Sequence, residues 1–274
     1  MSRSTSNDVY LLGHSTNEEE RLRRMPGELA PDSNRFLDRF GIQPGYRAVD
    51  IGCGPHGILD LLSERVGPSG KVVGVEQSES TIELARQYIT AHELRNVELL
   101  HGDAKATGLP RASFDVVHAR LVLVNVPEPR QVVKEMVALA RPGGLVASHE
   151  VDWGASFCDP PSPAWDRLLV VFEAYARSNG IDLFVGRKTH QMFRDAGLIS
   201  VEVTPVVHAY PLGNSQRNIL FDLLESVRDR LVMRGLLSDI EYKEKLSELS
   251  RHLADAGTLV IPNLHFQVWG RKPE

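Results

Sequence analysis

At 274 residues, with 42% hydrophobic and 24% charged side chains, the chain has an ordinary globular composition and enough apolar content for a full core. Its net charge of −5 gives no pull toward phosphate backbones, and two cysteines, Cys53 and Cys158, cannot make a disulfide framework or a zinc site. No apolar run approaches the roughly 18 residues of a spanning helix, and Met1–Asp8 lacks a basic-then-apolar leader, so a soluble, cytoplasmic protein without a membrane span is expected.

Residues 1–9 are polar. Tyr10-Leu11-Leu12-Gly13-His14-Ser15-Thr16 leads into a charged helix from Asn17 to Arg24, with Ser15 or Thr16 as cap and acids in the first turn. Arg35–Phe40 reads as a further helix, ended by Gly41, and Arg47–Ile51 as the first strand. The pattern then alternates. Helices are expected over Ile58–Arg65, Ser80–His92 and Arg130–Ala140, and strands over Lys71–Glu76, Val97–His101, Phe114–His118 and Leu145–Val151. Such alternation, with strands apolar on both faces as in Val72-Val73-Gly74-Val75, predicts a doubly wound α/β fold with a mostly parallel sheet. After Trp153 and the stiff Asp159-Pro160-Pro161-Ser162-Pro163 connector the rhythm changes. Helices over Ala164–Ser178 and Lys188–Ala196, a strand over Val201–Tyr210, a helical stretch Asn214–Leu253 and a last strand Leu264–Trp269 follow. The expected organisation is therefore a covering segment over 1–34, a nucleotide-binding core over 35–158, and the rest of the sheet over 159–274. Into that last part are set helical cap insertions near 160–197 and 214–254.

The informative stretch is Ala48-Val49-Asp50-Ile51-Gly52-Cys53-Gly54-Pro55-His56-Gly57. An apolar strand ends in an acid and runs into glycines at G-x-G-x-x-G spacing. Such a turn lets backbone approach a ligand where a Cβ would clash, and the next helix points its positive end at the same place. The spacing alone is a weak signal; its place between strand and helix strengthens it. In a nicotinamide site a fixed carboxylate beside the pyrophosphate would cost roughly several kcal/mol. Asp50, two residues before Gly52, suits instead a ligand carrying an ammonium or sulfonium group. Cys53 reads as a space-filler and His56 as a loop residue.

With these motifs the chain resembles the class I S-adenosylmethionine-dependent methyltransferases. Val49-Asp50-Ile51-Gly52-Cys53-Gly54 is similar to their motif I, and Val73-Gly74-Val75-Glu76 ends the second strand with an acid. Leu100-His101-Gly102-Asp103-Ala104, Phe114-Asp115-Val116-Val117-His118-Ala119-Arg120 and Leu139-Ala140-Arg141-Pro142-Gly143-Gly144 follow at the family's spacing, covering about 45–155. The resemblance implies a seven-stranded Rossmann-like sheet and S-adenosylmethionine as cofactor, leaving as S-adenosylhomocysteine. It implies that Gly52, Cys53, Gly54 and Gly57 form the turn around it and that Glu76, with Gln77 beside it, takes the ribose diol. Gly102, Asp103 and Ala104 would meet the adenine, and His118, Ala119 and Arg120 would border the cofactor. The two ends are similar to bacterial small-molecule enzymes of the ubiquinone/menaquinone and secondary-metabolite type. There the N-terminal segment folds over the cofactor, so Tyr10 would line it.

Methyl transfer gains much of its rate from alignment, roughly 7–11 kcal/mol; a base matters only where the acceptor loses a proton. Candidates lie in Ser148-His149-Glu150-Val151-Asp152-Trp153. Strand alternation puts His149 with Val151 on one face and Glu150 with Asp152 on the other. His149 is the preferred base or substrate contact, Glu150 or Asp152 the next, and His14 in the covering segment a further one. Splitting the three across two faces argues against a metal. The acceptor is expected to be a small, fairly apolar molecule methylated on O, N or C, with no nucleic acid involved. Whether the covering segment closes its own site or that of a homodimer partner is open. Alternatives are an NAD-dependent oxidoreductase, a non-catalytic S-adenosylmethionine-binding protein and, more weakly, an RNA methyltransferase.

Overall fold

The computed structural model describes residues 16–274, with side chains from Glu20 onward. Tyr10 and His14 lie outside the described residues. The chain opens with α1 (Thr16–Leu37), one continuous helix that a short 3₁₀ turn extends to Phe40. From sequence this region reads as two helices, Asn17–Arg24 and Arg35–Phe40; Pro26 and Pro31 fall in the stretch between them. Each proline lacks the N–H that would bond four residues back, which leaves the Leu22 and Gly27 carbonyls without that donor. The helix persists because Leu29, Phe36 and Leu37 bury its inner face.

The core follows as β1 (Arg47–Ile51), α2 (Leu59–Val66), β2 (Lys71–Glu76), α3 (Glu79–Ala91), β3 (Val97–His101), β4 (Phe114–Arg120), α4 (Pro129–Leu139) and β5 (Ala140–Asp152). Then come β6 (Phe157–Asp159), α5 (Pro163–Ser178), α6 (Val185–Asp195) and β7 (Ile199–Val207). The chain ends with α7 (Ile219–Met233), α8 (Asp239–Leu253), β8 (Leu259–Ile261) and β9 (Leu264–Arg271). Seven strands form one sheet in the order β3-β2-β1-β4-β5-β9-β7. β1 to β5 are mutually parallel, and β9 lies antiparallel between β5 and β7. This is the doubly wound, Rossmann-like arrangement expected.

Strand alternation separates two apolar layers. Ala48, Val72, Val116 and Ala147 face Phe36, Leu37, Leu59 and Leu62 on one side. Val49, Val75, Val117 and Val146 face Val132, Met136, Leu139 and Phe193 on the other. From sequence α6 groups with the cap insertions; its packing on β5, β9 and β7 puts it instead in the helical layer of the sheet. Helices α5, α7 and α8 pack on one another through Trp165, Leu168, Tyr175, Leu224, Val227 and Leu249. The antiparallel β6–β8 ribbon is additional to the expected elements; three-residue strands are too short for alternation to show. Strand order reverses between β1 and β4, so the crevice outside their carboxyl ends is where such a fold binds ligands.

Candidate active site

The turn after β1 is built as its glycines require. Gly52, Gly54 and Gly57 have φ of +65°, +59° and +51°, the left-handed region. A Cβ on Gly52 would stand 2.5 Å from Val122 Cγ2, and one on Gly57 2.5 Å from both Asp50 Oδ2 and the Cys53 carbonyl oxygen. At Gly54 a Cβ would meet nothing within 4 Å, so the turn is open on that side.

Asp50 does not face this opening. It is 2% exposed; Oδ1 lies 2.8 Å from His118 Nδ1, and Oδ2 accepts the Ile58 N–H at 3.3 Å. The expectation of direct contact with a cationic ligand is corrected by these contacts. Asp50 sits beneath the turn and ties it to the start of α2, and His118, level with it on β4, is its structural partner. Cys53 is a buried spacer: its N–H donates to Val75 O at 3.0 Å, and burial raises its thiol well above the ordinary range. An inert thiol follows.

Glu76 lies at the crevice. Oε2 accepts the Gly54 N–H at 3.1 Å, and Oε1 accepts those of Gln77 at 2.8 Å and Ser78 at 2.9 Å. A carboxylate has about four acceptor sites; the one left is on Oε2, beside the glycine turn. The Gly102 N–H donates to Glu76 O at 3.0 Å, which brings the β3 turn alongside. There Asp103 Oδ1 accepts the Lys105 N–H at 2.8 Å, Oδ2 meets no donor among the described residues, and Ala104 packs against the core.

At the end of β4 the guanidinium of Arg120 is buried, donating to Ser33 Oγ and to Gly57 O, both at 2.9 Å. Desolvation pushes its pKa down. Ala119 is buried on the opposite layer. Leu121 then takes φ +57°, an unfavourable value for a side-chain-bearing residue. The strain is held by Glu150, whose carboxylate accepts the N–H groups of Val122, Leu123 and Val124 at 3.1, 3.0 and 3.2 Å and the Ser148 hydroxyl at 3.1 Å. Burial raises its carboxyl from 4.5 to about 7 against those hydrogen bonds. Fully buried and occupied on both oxygens, Glu150 is a strut for the β4–α4 connection and not a free base. Asp152 is likewise taken, by Arg187 Nε and Nη2 at 2.7 and 2.6 Å and by the Gly154 N–H at 2.9 Å.

His149 is different. It lies on the α1 side of the sheet, level with Arg120 on β4 and Gln267 on β9. Its Nε2 is 3.0 Å from His265 Nδ1, and its own Nδ1 is buried with no hydrogen-bond partner among the described residues. His265 stands edge-on to His208, whose Nε2 donates to Asp32 Oδ2 at 2.6 Å; Gln267 Nε2 donates to Asp32 O at 3.2 Å. Thus the carboxyl half of this sheet face, under α1, is lined by His118, Arg120, His149, His265 and Gln267 where a covered sheet is ordinarily apolar. His265, His208 and Asp32 carry no local sequence signal, since their contacts join residues far apart in the chain.

Two open hollows of the described residues lie elsewhere. One of about 500 Å³ between α7 and α8 is lined by Phe221, Arg228, Tyr242 and Leu246, and a smaller one by Leu212, Arg217 and Leu253. Neither includes a motif residue; both are grooves beside α7 and α8. Among the described residues no three His, Cys, Asp or Glu side chains are grouped to hold a metal ion, and no helix is long and apolar enough to cross a membrane.

The sheet order, the left-handed glycine turn and the acids at the ends of β2 and β3 define a Rossmann-like site for a nucleoside-containing cofactor. Residues 42–196, more than half the chain, match the model described as Methyltransferase domain. A demethylmenaquinone methyltransferase of Geobacillus kaustophilus is 35% identical over 181 residues, covering 62% of this chain and 77% of the relative. The chain belongs to the methyltransferase family and is a class I, S-adenosylmethionine-dependent methyltransferase. Solved structures share the fold at low identity. A Bacillus halodurans protein described as a methyltransferase has a TM-score of 0.58 at 16% identity, covering 89% of this chain and all of that one. The Haemonchus contortus phosphoethanolamine N-methyltransferase 2 in complex with S-adenosyl-L-methionine scores 0.56 at 21% identity; this chain spans 53% of its length. Nothing in these relatives supports the oxidoreductase alternative.

Proposed function

We propose that this enzyme methylates a small, ring-containing apolar acceptor of the quinone type, in the cytoplasm, with no nucleic acid involved. The demethylmenaquinone methyltransferase relative supports the acceptor class, the net charge of −5 speaks against nucleic acid, and two buried free thiols suit a reducing compartment. The observation that carries the donor site is the Gly54–Glu76 contact, which joins the glycine turn to the acid of β2.

Gly52, Cys53, Gly54 and Gly57 supply the backbone cradle, Glu76 with Gln77 the diol acceptor, and Gly102, Asp103 and Ala104 the adenine edge. Ala119 and Arg120 close the β4 side, with His118 holding Asp50 beneath; Tyr10 and His14 are assigned to the cover. The bound cofactor supplies an electrophilic methyl group on sulfur. The chain's own residues orient the acceptor against it and exclude water, α1 roofing the crevice and α5, α7 and α8 walling it with apolar side chains. His149 is the acceptor-side polar group, because it alone of the β5 candidates keeps an unused lone pair or N–H.

Calorimetric titration with S-adenosylhomocysteine and labelled-methyl transfer to a short-chain demethylmenaquinol test the reading. Binding and labelled product are expected; an absence of binding would sink it.

A further inference from the structure

The His149–His265 contact holds one proton between two nitrogens, and where that proton sits decides what His149 offers a substrate. With the proton on His149 Nε2, His149 Nδ1 is a bare lone pair. With His265 protonated on Nδ1 instead, the neutral His149 must carry its single ring proton on Nδ1, a buried N–H with no acceptor. Orphaned buried N–H groups are rarer and costlier than under-used acceptors. The first arrangement also leaves both rings protonated on Nε2, the intrinsically preferred tautomer of a neutral histidine side chain. Side-chain burial keeps the rings neutral, with His265 lowered to about 4 and His149 well below the ordinary range.

We propose that His265 is a positioning residue that fixes His149 as its Nε2–H tautomer, so that His149 Nδ1 accepts a proton from the methyl acceptor, which must therefore be a protic group such as an enolic or phenolic hydroxyl. This rests on the methyltransferase site proposed above. The acceptor's O–H proton moves to Nδ1 while its bonding pair stays on oxygen. The Nε2 proton passes to His265 Nδ1, and the positive charge comes onto His265, where burial disfavours it and makes the charged state transient. Asp32, bonded to His208, attracts that charge, while Arg120 and His208 oppose it. On the other sides of His149 stand Arg120 and His118 from β4, Gln267 from β9 and the Phe36 ring from α1, 6.3 Å between centroids. Because Phe36 and Asp32 belong to α1, that helix has to shift for an acceptor to reach Nδ1.

Long-range ¹H–¹⁵N correlation spectra of the full chain, without cofactor, read the tautomer directly. His149 should show a protonated Nε2 and a bare Nδ1. In His265→Leu its two nitrogen shifts should converge toward a mixture, and His265→Asn, which restores an acceptor, should return them toward wild type. With demethylmenaquinol as acceptor, His265→Leu should lose on the order of 10²-fold in kcat with KM for the donor unchanged. A wild-type His149 protonated on Nδ1, or shifts indifferent to His265→Leu in a folded variant, would overturn the proposal. If His265→Leu does not fold, the wild-type spectrum decides alone. Failure to bind S-adenosylhomocysteine would end the donor-site reading while leaving the tautomer result standing, so the two failures are distinguishable.

Discussion

Replacing Glu150 by alanine separates a strut from a base. The change strips the acceptor from three buried N–H groups, those of Val122, Leu123 and Val124. Each orphaned donor costs about 1–3 kcal/mol, so the loss is roughly 3–9 kcal/mol. Against this, removing a carboxyl that burial raises from 4.5 to about 7 relieves about 3 kcal/mol at pH 8, at 1.36 kcal/mol per unit. The net expectation there is a destabilisation of about 3 kcal/mol. The sign with pH follows from linkage. A carboxyl raised in the folded state contributes most below its unfolded value of 4.5 and loses that contribution as pH rises through about 7. The alanine variant lacks this slope, so its deficit should grow by roughly 2 kcal/mol between about pH 8 and pH 5. Urea unfolding of both proteins at the two pH values measures it. A variant as stable as wild type at both pH values, folded but without turnover, would refute the strut and restore Glu150 as a catalytic group.

Gly57→Ala places a Cβ within 2.5 Å of Asp50 Oδ2 and of backbone at φ +51°. It should cost at least about 1–2 kcal/mol in stability and weaken S-adenosylhomocysteine binding; calorimetry showing unchanged affinity would count against the turn as the cradle. Arg187→Leu leaves the fully buried Asp152 without its bidentate partner. A broken buried pair costs roughly 3–5 kcal/mol, reduced to about 2–3 here because Arg187 is 48% exposed, and thermal denaturation would show it. His265 is held neutral with its pKa lowered from 6.5 to about 4, so the unfolded chain binds the extra proton between those values. Its contribution should fall by up to about 3 kcal/mol as pH drops through that window. The melting temperature of His265→Leu should therefore decline less steeply than wild type from about pH 6.5 to pH 4; parallel curves would contradict the burial.

What the sequence disclosed was what local patterning encodes. Val72-Val73-Gly74-Val75 is apolar on both faces because helices cover both sides of the sheet, and the glycines at 52, 54 and 57 are demanded by positive φ. Both constraints act within a few residues. The placement of Asp50 is not legible locally because its partner, His118, lies 68 residues downstream, and a carboxylate near a glycine turn looks alike whether it faces a ligand or the floor beneath it. His265 is silent in the sequence for a similar reason: its contact with His149 spans 116 residues. The continuity of α1 was hidden because Pro26 and Pro31 oppose a helix locally while tertiary burial of Leu29 and Phe36 overrides them. Glu150 looked like a base because strand alternation tells a side chain's face and not which backbone groups meet it.

Helix α1 touches both halves of the crevice. Ser33 holds Arg120 on the sheet, while Glu28 takes hydrogen bonds from Ser215 and Gln216 at the entrance to the cap. Glu28 and Ser33 stand about 7.5 Å apart along the helix, so a ligand that displaces this stretch should loosen both contacts together. If donor and acceptor binding each displace it, their affinities should be linked, each changing the other's by the same factor. A pair of ligands that never touch one another except at the reacting atoms would thus still bind cooperatively, with this one helix as the go-between.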